Sequence, residues 1–300
     1  MRDATISSAS LIERAAQVYD FGAVLRARPG REEPSPDGGE PADEEVAAGG
    51  VPAPAARFGA VDREALAEAG FLLPDAPVCA LAEEFRIVKR QLLLAAMAGT
   101  ESGEPADARA RSILVCSARP DEGKTFCAVN LALSMAGEKD IEVLLVDADV
   151  AKPEILSTLG LAGGPGLMDA LADPAVDAEA CVIRTDLGNL SVLPAGRQTN
   201  EATELLASDR TRLVLDRLAR HPARIVIFDS PPALAASLAP VLALHVGQAM
   251  LVVRADRTSE TDLRDALGLL GGCGDIKLLL NGVRFAPGGR HFDGYYGLGD

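Results

Sequence analysis

The stretch Ser117-Ala-Arg-Pro-Asp-Glu-Gly-Lys-Thr125 limits what this chain can fold into more than any other. An apolar run, Ile113 to Cys116, precedes it, and an apolar-periodic run from Phe126 to Met135 follows. That order predicts strand, tight loop, helix. The loop reads A-x-x-x-x-G-K-T, a Walker A pattern with Ala118 where the first glycine usually stands. Backbone N–H groups around such a turn point inward as an anion nest, and the helix N-terminus adds partial positive charge. Lys124 reaches outer phosphates as a point charge, the Thr125 hydroxyl suits Mg²⁺, and Gly123 lets the chain pass close to the phosphates. The expected nucleotide loop comprises Arg119, Pro120, Asp121, Glu122, Gly123, Lys124, Thr125 and Phe126. Cys127 follows on the first helical turn, either small and buried or a redox handle.

From residue 111 the pattern becomes regular. Apolar runs fall at 113–116, 141–146, 190–193, 225–228, 249–253 and 276–280, separated mostly by helical stretches. Short continuous apolar strands alternating with helices predict an α/β fold of P-loop NTPase-like type, a mainly parallel sheet with helices on both faces. Ligands of such sheets bind beyond the carboxyl ends of the strands. Two strands end there in acids, Val146-Asp-Ala-Asp149 and Asp229-Ser-Pro-Pro232. An Asp after an apolar strand holds Mg²⁺ directly or through water. Phosphoryl transfer needs phosphates held in line, charge neutralised and a nucleophile oriented. The catalytic candidates are therefore Lys124, Asp147, Asp149 and Asp229, with Thr125, Asp147 and Asp229 as metal ligands. Asp147 is the candidate for activating an incoming hydroxyl. One of these carboxylates instead capping a helix is more credible for Asp149 than for Asp147 or Asp229. Asn281, ending the last strand, either contacts the adenine or forms a turn before Gly282.

The rest of the chain reads as follows. Residues 1–26 hold a short N-terminal helix with a capping box, Ser10-Leu-Ile-Glu13, which needs a partner surface to be stable. Residues 27–58 form an acidic linker rich in proline and glycine, with expected disorder. Residues 59–285 form the P-loop domain, including a helix over 79–98, and residues 286–300 a glycine-rich flexible tail. On that helix Glu83, Arg86 and Lys89 line up at spacings of three; composition alone favours intrahelical ion pairs on a solvated face. A net charge of -15 repels nucleic acid and anionic lipid, so neither is a default partner. Five cysteines stand apart with no C-x-x-C pair, which suits reduced thiols in the cytosol. The long low-charge stretch 231–253 is broken by Pro231, Pro232, Pro240 and Gly247, so it reads as loop, helix and buried strand rather than a membrane span.

Together these residues resemble the P-loop tyrosine kinases of bacteria, the BY-kinases, and look most like the exosortase-associated tyrosine autokinases of exopolysaccharide clusters. Ser10 to Ala16 looks like that family's first helix, and Glu83-x-x-Arg86-x-x-Lys89 resembles its E-x-x-R-x-x-R oligomerisation helix. Ser117 to Thr125 matches Walker A, Leu144 to Asp149 Walker A′, and Ile225 to Pro232 Walker B. Leu193-Pro-Ala-Gly196 and Glu204-Leu-Leu206 match connecting segments. Tyr295-Tyr296 stands where the family carries its C-terminal tyrosine cluster. The resemblance implies ATP- and Mg²⁺-dependent autophosphorylation of Tyr295 and Tyr296. It implies a homo-oligomer with Glu83, Arg86 and Lys89 at the contact, one subunit's tail entering its neighbour's site. It implies a cytoplasmic protein recruited to the inner face of the membrane by a polysaccharide co-polymerase, a chain-length determinant.

This chain departs from the family pattern in four places. Asp121 replaces a usual glycine beside Glu122, so two acids flank the phosphate loop; aspartate tolerates the backbone angles required, while its charge opposes phosphate. Lys89 replaces an arginine and loses the planar fork. Ala151 stands where an arginine is common, with Lys152 adjacent. The tail has two tyrosines, so phosphorylation adds limited charge. Two rival readings compete. One is a partition or septum-site type ATPase switch, whose loop carries a signature lysine and paired glycines where this chain has Arg119, Pro120 and Asp121. The other is a non-catalytic ATP-binding regulator of a polysaccharide co-polymerase.

Overall fold

The computed structural model describes residues 57–97 and 108–283, all within one unit, Pro52–Asp300. The expected N-terminal helix, most of the linker and the tail with Tyr295 and Tyr296 lie outside the described residues. Each of the six expected apolar runs forms a strand: β2 (Ser112–Ser117), β3 (Glu142–Asp147), β5 (Leu190–Leu193), β6 (Arg224–Asp229), β7 (Gln248–Arg254) and β8 (Ile276–Asn281). Two further strands have three residues each, β1 (Arg57–Gly59) and β4 (Ile183–Thr185). The sheet order is β1-β4-β5-β3-β6-β2-β7-β8, parallel throughout except for β4 against β5. β1 corrects the linker boundary: Arg57 and Phe58 pair with Ile183 and Arg184 instead of belonging to the linker.

Helices cover both faces because consecutive strand residues point to opposite sides. Ile113 and Val115, Val143 and Leu145, and Ile225 and Ile227 face one core. That core packs against α1 (Arg63–Glu68), α2 (Ala80–Met97) and α3 (Lys124–Ala136). Leu114 and Cys116, Leu144 and Val146, and Val226 and Phe228 face the other core. Over it lie α5 (Leu167–Ala172), α6 (Ala178–Cys181), α7 (Ala202–Leu206), α8 (Asp209–Leu218), α9 (Leu238–Ala243) and α10 (Glu260–Leu269); the short α4 (Ile155–Leu159) joins the first core. The stretch 231–253 resolves into loop, α9 and β7 as its prolines dictate. Among the described residues no helix is long and apolar enough to cross a membrane.

The helix expected over 79–98 is α2, buried through Phe85, Leu92 and Ala96. Its three charged residues do not act alike. Glu83 and Arg86 form the intrahelical ion pair. Lys89 turns inward and is 14% exposed. It donates to the Ser134 carbonyl at 3.0 Å and pairs with Glu138 at 2.6 Å, at the C-terminal end of α3. A cation there meets the negative end of the helix dipole. Of the three residues expected at an oligomer contact, Arg86 is exposed, Glu83 is half-buried and Lys89 is committed within the chain.

Candidate phosphate-binding site

β2 ends at Ser117 and α3 begins at Lys124, so the intervening loop sits at the carboxyl rim of the sheet. Two residues of this loop are left-handed, Asp121 with φ 61° and Gly123 with φ 91°. The positive φ of Gly123 favours glycine, and a Cβ there would meet Asn281 Nδ2 at 2.2 Å and displace that amide. The backbone N–H groups from Asp121 to Phe126 have no protein acceptor among the described residues, whereas Cys127 N–H closes the first helical bond to Gly123. The departure at Asp121 therefore leaves the nest intact. The segment after β6 forms a second wall: Ala233 N–H donates to the Ser117 carbonyl at 2.8 Å and Leu234 N–H to Ala118 at 3.2 Å. Between them opens a cleft of about 460 Å³. It is lined by Pro120, Asp121, Gly123, Lys124, Thr125 and Phe126 on one side, and by Asp149, Ala151, Lys152, Glu154, Pro231, Pro232, Ala235 and Ala236 on the other.

The carboxylates converge here because β3 and β6 are register partners, Asp147 opposite Asp229. Both are 1% exposed. Burial pushes Asp147 up to about 7, aided by Asp229 and Asp149 and opposed by a hydrogen bond from Ile155 N–H. Burial likewise pushes Asp229 up to about 6, against the pull of Lys124 and Thr125. Lys124 lies 2.8 Å from Asp149 and 4.0 Å from Asp229, and donates to Thr125 Oγ1 at 3.1 Å. Burial lowers its pKa, but the two carboxylates outweigh burial and hold it above the ordinary lysine value. One oxygen of Asp147 (Oδ1) and one of Asp229 (Oδ1) are buried without a hydrogen bond, the latter 4.0 Å from the Lys124 ammonium. Such oxygens are costly unless a cation or donor meets them. Two adjacent carboxylates and a Thr hydroxyl fit Mg²⁺, which takes one or two carboxylates plus waters and phosphate oxygens. Among the described residues no group of three or more His, Cys, Asp or Glu side chains forms an all-protein metal cage.

Several expectations change at this point. Asp147, not Asp149, holds the start of a helix: its Oδ2 accepts from Ile155 N–H of α4 at 3.1 Å, because β3 runs directly at that segment. Asp149 accepts from Lys152 N–H at 3.2 Å in a turn and is the one carboxylate of the three that lines the cleft. Glu122 does not confront phosphate, since its side chain is turned into the protein and 4% exposed. The Asn281 amide donates to the Glu122 carbonyl at 2.9 Å, and Gly282 beyond it has φ 69°. Arg119 leaves the cleft and grips Asp262 of α10 with two bonds of 2.7 and 2.8 Å. The expected nucleotide-binding residues thus divide into those that line the cleft and three, the loop residues Arg119 and Glu122 and the strand-end Asn281, that do not. Cys127 is buried, and burial pushes its thiol up to about 12, which favours the small, buried alternative. Residues not anticipated include Glu154, paired with Lys152 at 2.8 Å, and Phe71, whose ring tilts against Phe126 at 5.1 Å.

A mainly parallel sheet with this loop between β2 and α3, and acids at the ends of β3 and β6, defines a P-loop NTPase-like fold. No family model matches the chain. By sequence it is similar to the tyrosine-protein kinase YwqD of Bacillus subtilis, 29% identical over 221 residues, 73% of this chain and 87% of that one. By structure it resembles the kinase domain of the Escherichia coli tyrosine kinase ETK, with a TM-score of 0.63 at 28% identity over 74% of this chain and 83% of that one. The VpsO kinase domain is matched over its whole length, with 68% of this chain covered, 30% identity and a TM-score of 0.53. YwqD and ETK, one matched by sequence and the other by fold, are both bacterial tyrosine kinases.

Proposed function

We propose that the chain is an ATP-dependent protein-tyrosine autokinase that transfers the γ-phosphoryl group of ATP to Tyr295 and Tyr296. The observation that carries this reading is the pair of buried oxygens on Asp147 and Asp229 that lack a hydrogen bond, beside Lys124 and a run of backbone N–H groups without an acceptor among the described residues. The nest and Lys124 bind the phosphates, and Lys124 leaves Asp149 to do so. Thr125 and Asp229 would hold Mg²⁺, with Asp147 in reach through water; the bound ion would neutralise charge on the phosphate oxygens. Asp147 takes the proton as the tyrosine oxygen bonds to the γ-phosphorus and ADP leaves. Asp149, facing the cleft, orients the acceptor.

The biological setting extends this reading on the resemblance of the motifs. It is a cytoplasmic homo-oligomer drawn to the inner membrane face by a polysaccharide co-polymerase, and its phosphorylation state regulates exopolysaccharide synthesis and chain length, as for the exosortase-associated autokinases. The test is mass spectrometry after incubation with Mg²⁺-ATP. Phosphate on Tyr295 or Tyr296, absent in Lys124→Met, is the expected result. A tail that stays unmodified across protein concentrations overturns the kinase and leaves the non-catalytic regulator.

A further inference from the structure

We infer that Glu122 is a positioning residue: clamped from two sides by Thr258 and Asn281, it holds the phosphate loop in its binding shape before nucleotide arrives. The inference deepens the proposed function and rests on the cleft being a nucleotide site. Glu122 belongs to the loop yet does not line the cleft. One carboxylate oxygen, Oε2, accepts the Arg119 N–H at 2.8 Å. The other, Oε1, accepts the Thr258 hydroxyl. Thr258 Oγ1 in turn accepts the Arg254 N–H at 2.8 Å, so the hydroxyl is fixed by the turn between β7 and α10. The backbone carbonyl of Glu122 accepts Asn281 Nδ2 at 2.9 Å, and the Asn281 carbonyl accepts Ala255 N–H at 2.8 Å. One residue of the loop is therefore tied through both side chain and backbone to two strand ends. The Arg119–Asp262 pair ties the start of the same loop to the first turn of α10.

The physical reason for such a clamp lies in the loop itself. It must hold two left-handed residues, Asp121 and Gly123, and keep a run of N–H groups unpaired. Fixing backbone without internal hydrogen bonds has an entropic cost, and a loop fixed in advance spares the ligand that cost on binding. A buried carboxylate is tolerated only where donors meet it, and Arg119 N–H and Thr258 supply them. The same bonds draw an acid away from the phosphates that it would otherwise repel.

The test compares Thr258→Val, which keeps the shape and removes the donor, with Thr258→Ser, which restores it. Binding of a fluorescent ADP analogue, phosphorylation kinetics and thermal melting are measured on the full chain. Thr258→Val is expected to weaken nucleotide binding and raise KM for ATP by about tenfold, the loss of one hydrogen bond to a charged group, with kcat within about twofold and Ser close to the unsubstituted chain. Glu122→Gln provides an independent route, with the same direction and a smaller change. A lowered melting temperature with unaltered nucleotide affinity in both variants overturns the inference, because that is what a purely structural tie produces. If the unsubstituted chain binds no nucleotide, the proposed function falls with it at that first measurement. If it binds and the variants bind equally, the clamp alone falls.

Discussion

The two rims of the sheet each carry a cavity of about 460 Å³, and their charges are treated in opposite ways. At the amino rim the lining includes Glu142, Asp177, Glu179, Arg184 and Arg224. Arg224 pairs with Glu179 at 2.5 Å and Glu142 at 3.5 Å, and Asp177 pairs with Arg217 at 3.0 Å while capping Glu179 N–H. At the carboxyl rim two buried carboxylates stand against one another with an oxygen each unmet. Arg111 Nε is the third buried side-chain N or O atom without a hydrogen bond among the described residues; like Asp147 and Asp229 it lies outside the lining of both cavities. Cavity size therefore says nothing about which rim does chemistry. Electrostatic strain that the fold does not relieve is the better guide, because a structural site relaxes and a binding site waits for its ligand.

The sharpest way to break this contrast is Asp229→Asn. The amide removes a buried charge that the unliganded protein does not want, so melting temperature should rise by about 2–4 °C per kcal/mol relieved. Tyrosine phosphorylation should fall on the order of 10²-fold, since a proposed ligand of the Mg²⁺ that neutralises the phosphates is lost. Thermal melting and a phosphorylation time course check both halves. If stability falls instead, the carboxylate is a structural member like those of the other rim.

Arg224→Met is the matching change below. It removes two ion pairs and a bond to the Leu218 carbonyl of 3.1 Å from a side chain that is 18% exposed. Both acids are partly solvated, so the loss should be about 1–2 kcal/mol by denaturant unfolding, with nucleotide affinity unchanged. A change in affinity would show that the rims communicate.

The same contrast explains what was legible in the sequence. Six apolar runs became six strands because residues buried on both faces read as continuous hydrophobic stretches. The loop and the three acids were legible because each follows such a run directly. β1 and β4, at three residues each, are too short to show a period, and β1 contains Gly59. The role of Glu122 was hidden because its partner Thr258 lies 136 positions away, and nothing in a single sequence reports that distance closing. Lys89 read as one of a row on α2; only packing against the end of α3 shows that it faces inward. Local order was written in the chain, whereas the long-range bonds that divide lining from bracing residues were not.

The smallest effect, and the one that separates the rims without mutation, is pH. The Asp147 and Asp229 carboxyls are raised to about 7 and about 6 from an ordinary value of 3.8. The folded chain thus holds protons there that the unfolded chain releases. The stabilisation is complete below the ordinary carboxylate value and is lost as pH climbs through 6 and 7, so the unliganded protein should melt at lower temperature at pH 7.5 than at pH 5. Asp262, drawn down to about 2 by its hydrogen bonds with Arg119, acts with the opposite sign but below this window. Asp147→Asn should flatten the slope, whereas Arg224→Met should leave it in place. Mg²⁺ with nucleotide competes with those protons, so the rise in melting temperature on adding both should be larger at pH 8 than at pH 5.5. An equal rise at both values would mean that the cation does not meet these two carboxylates, and the contrast between the rims would lose its chemical meaning.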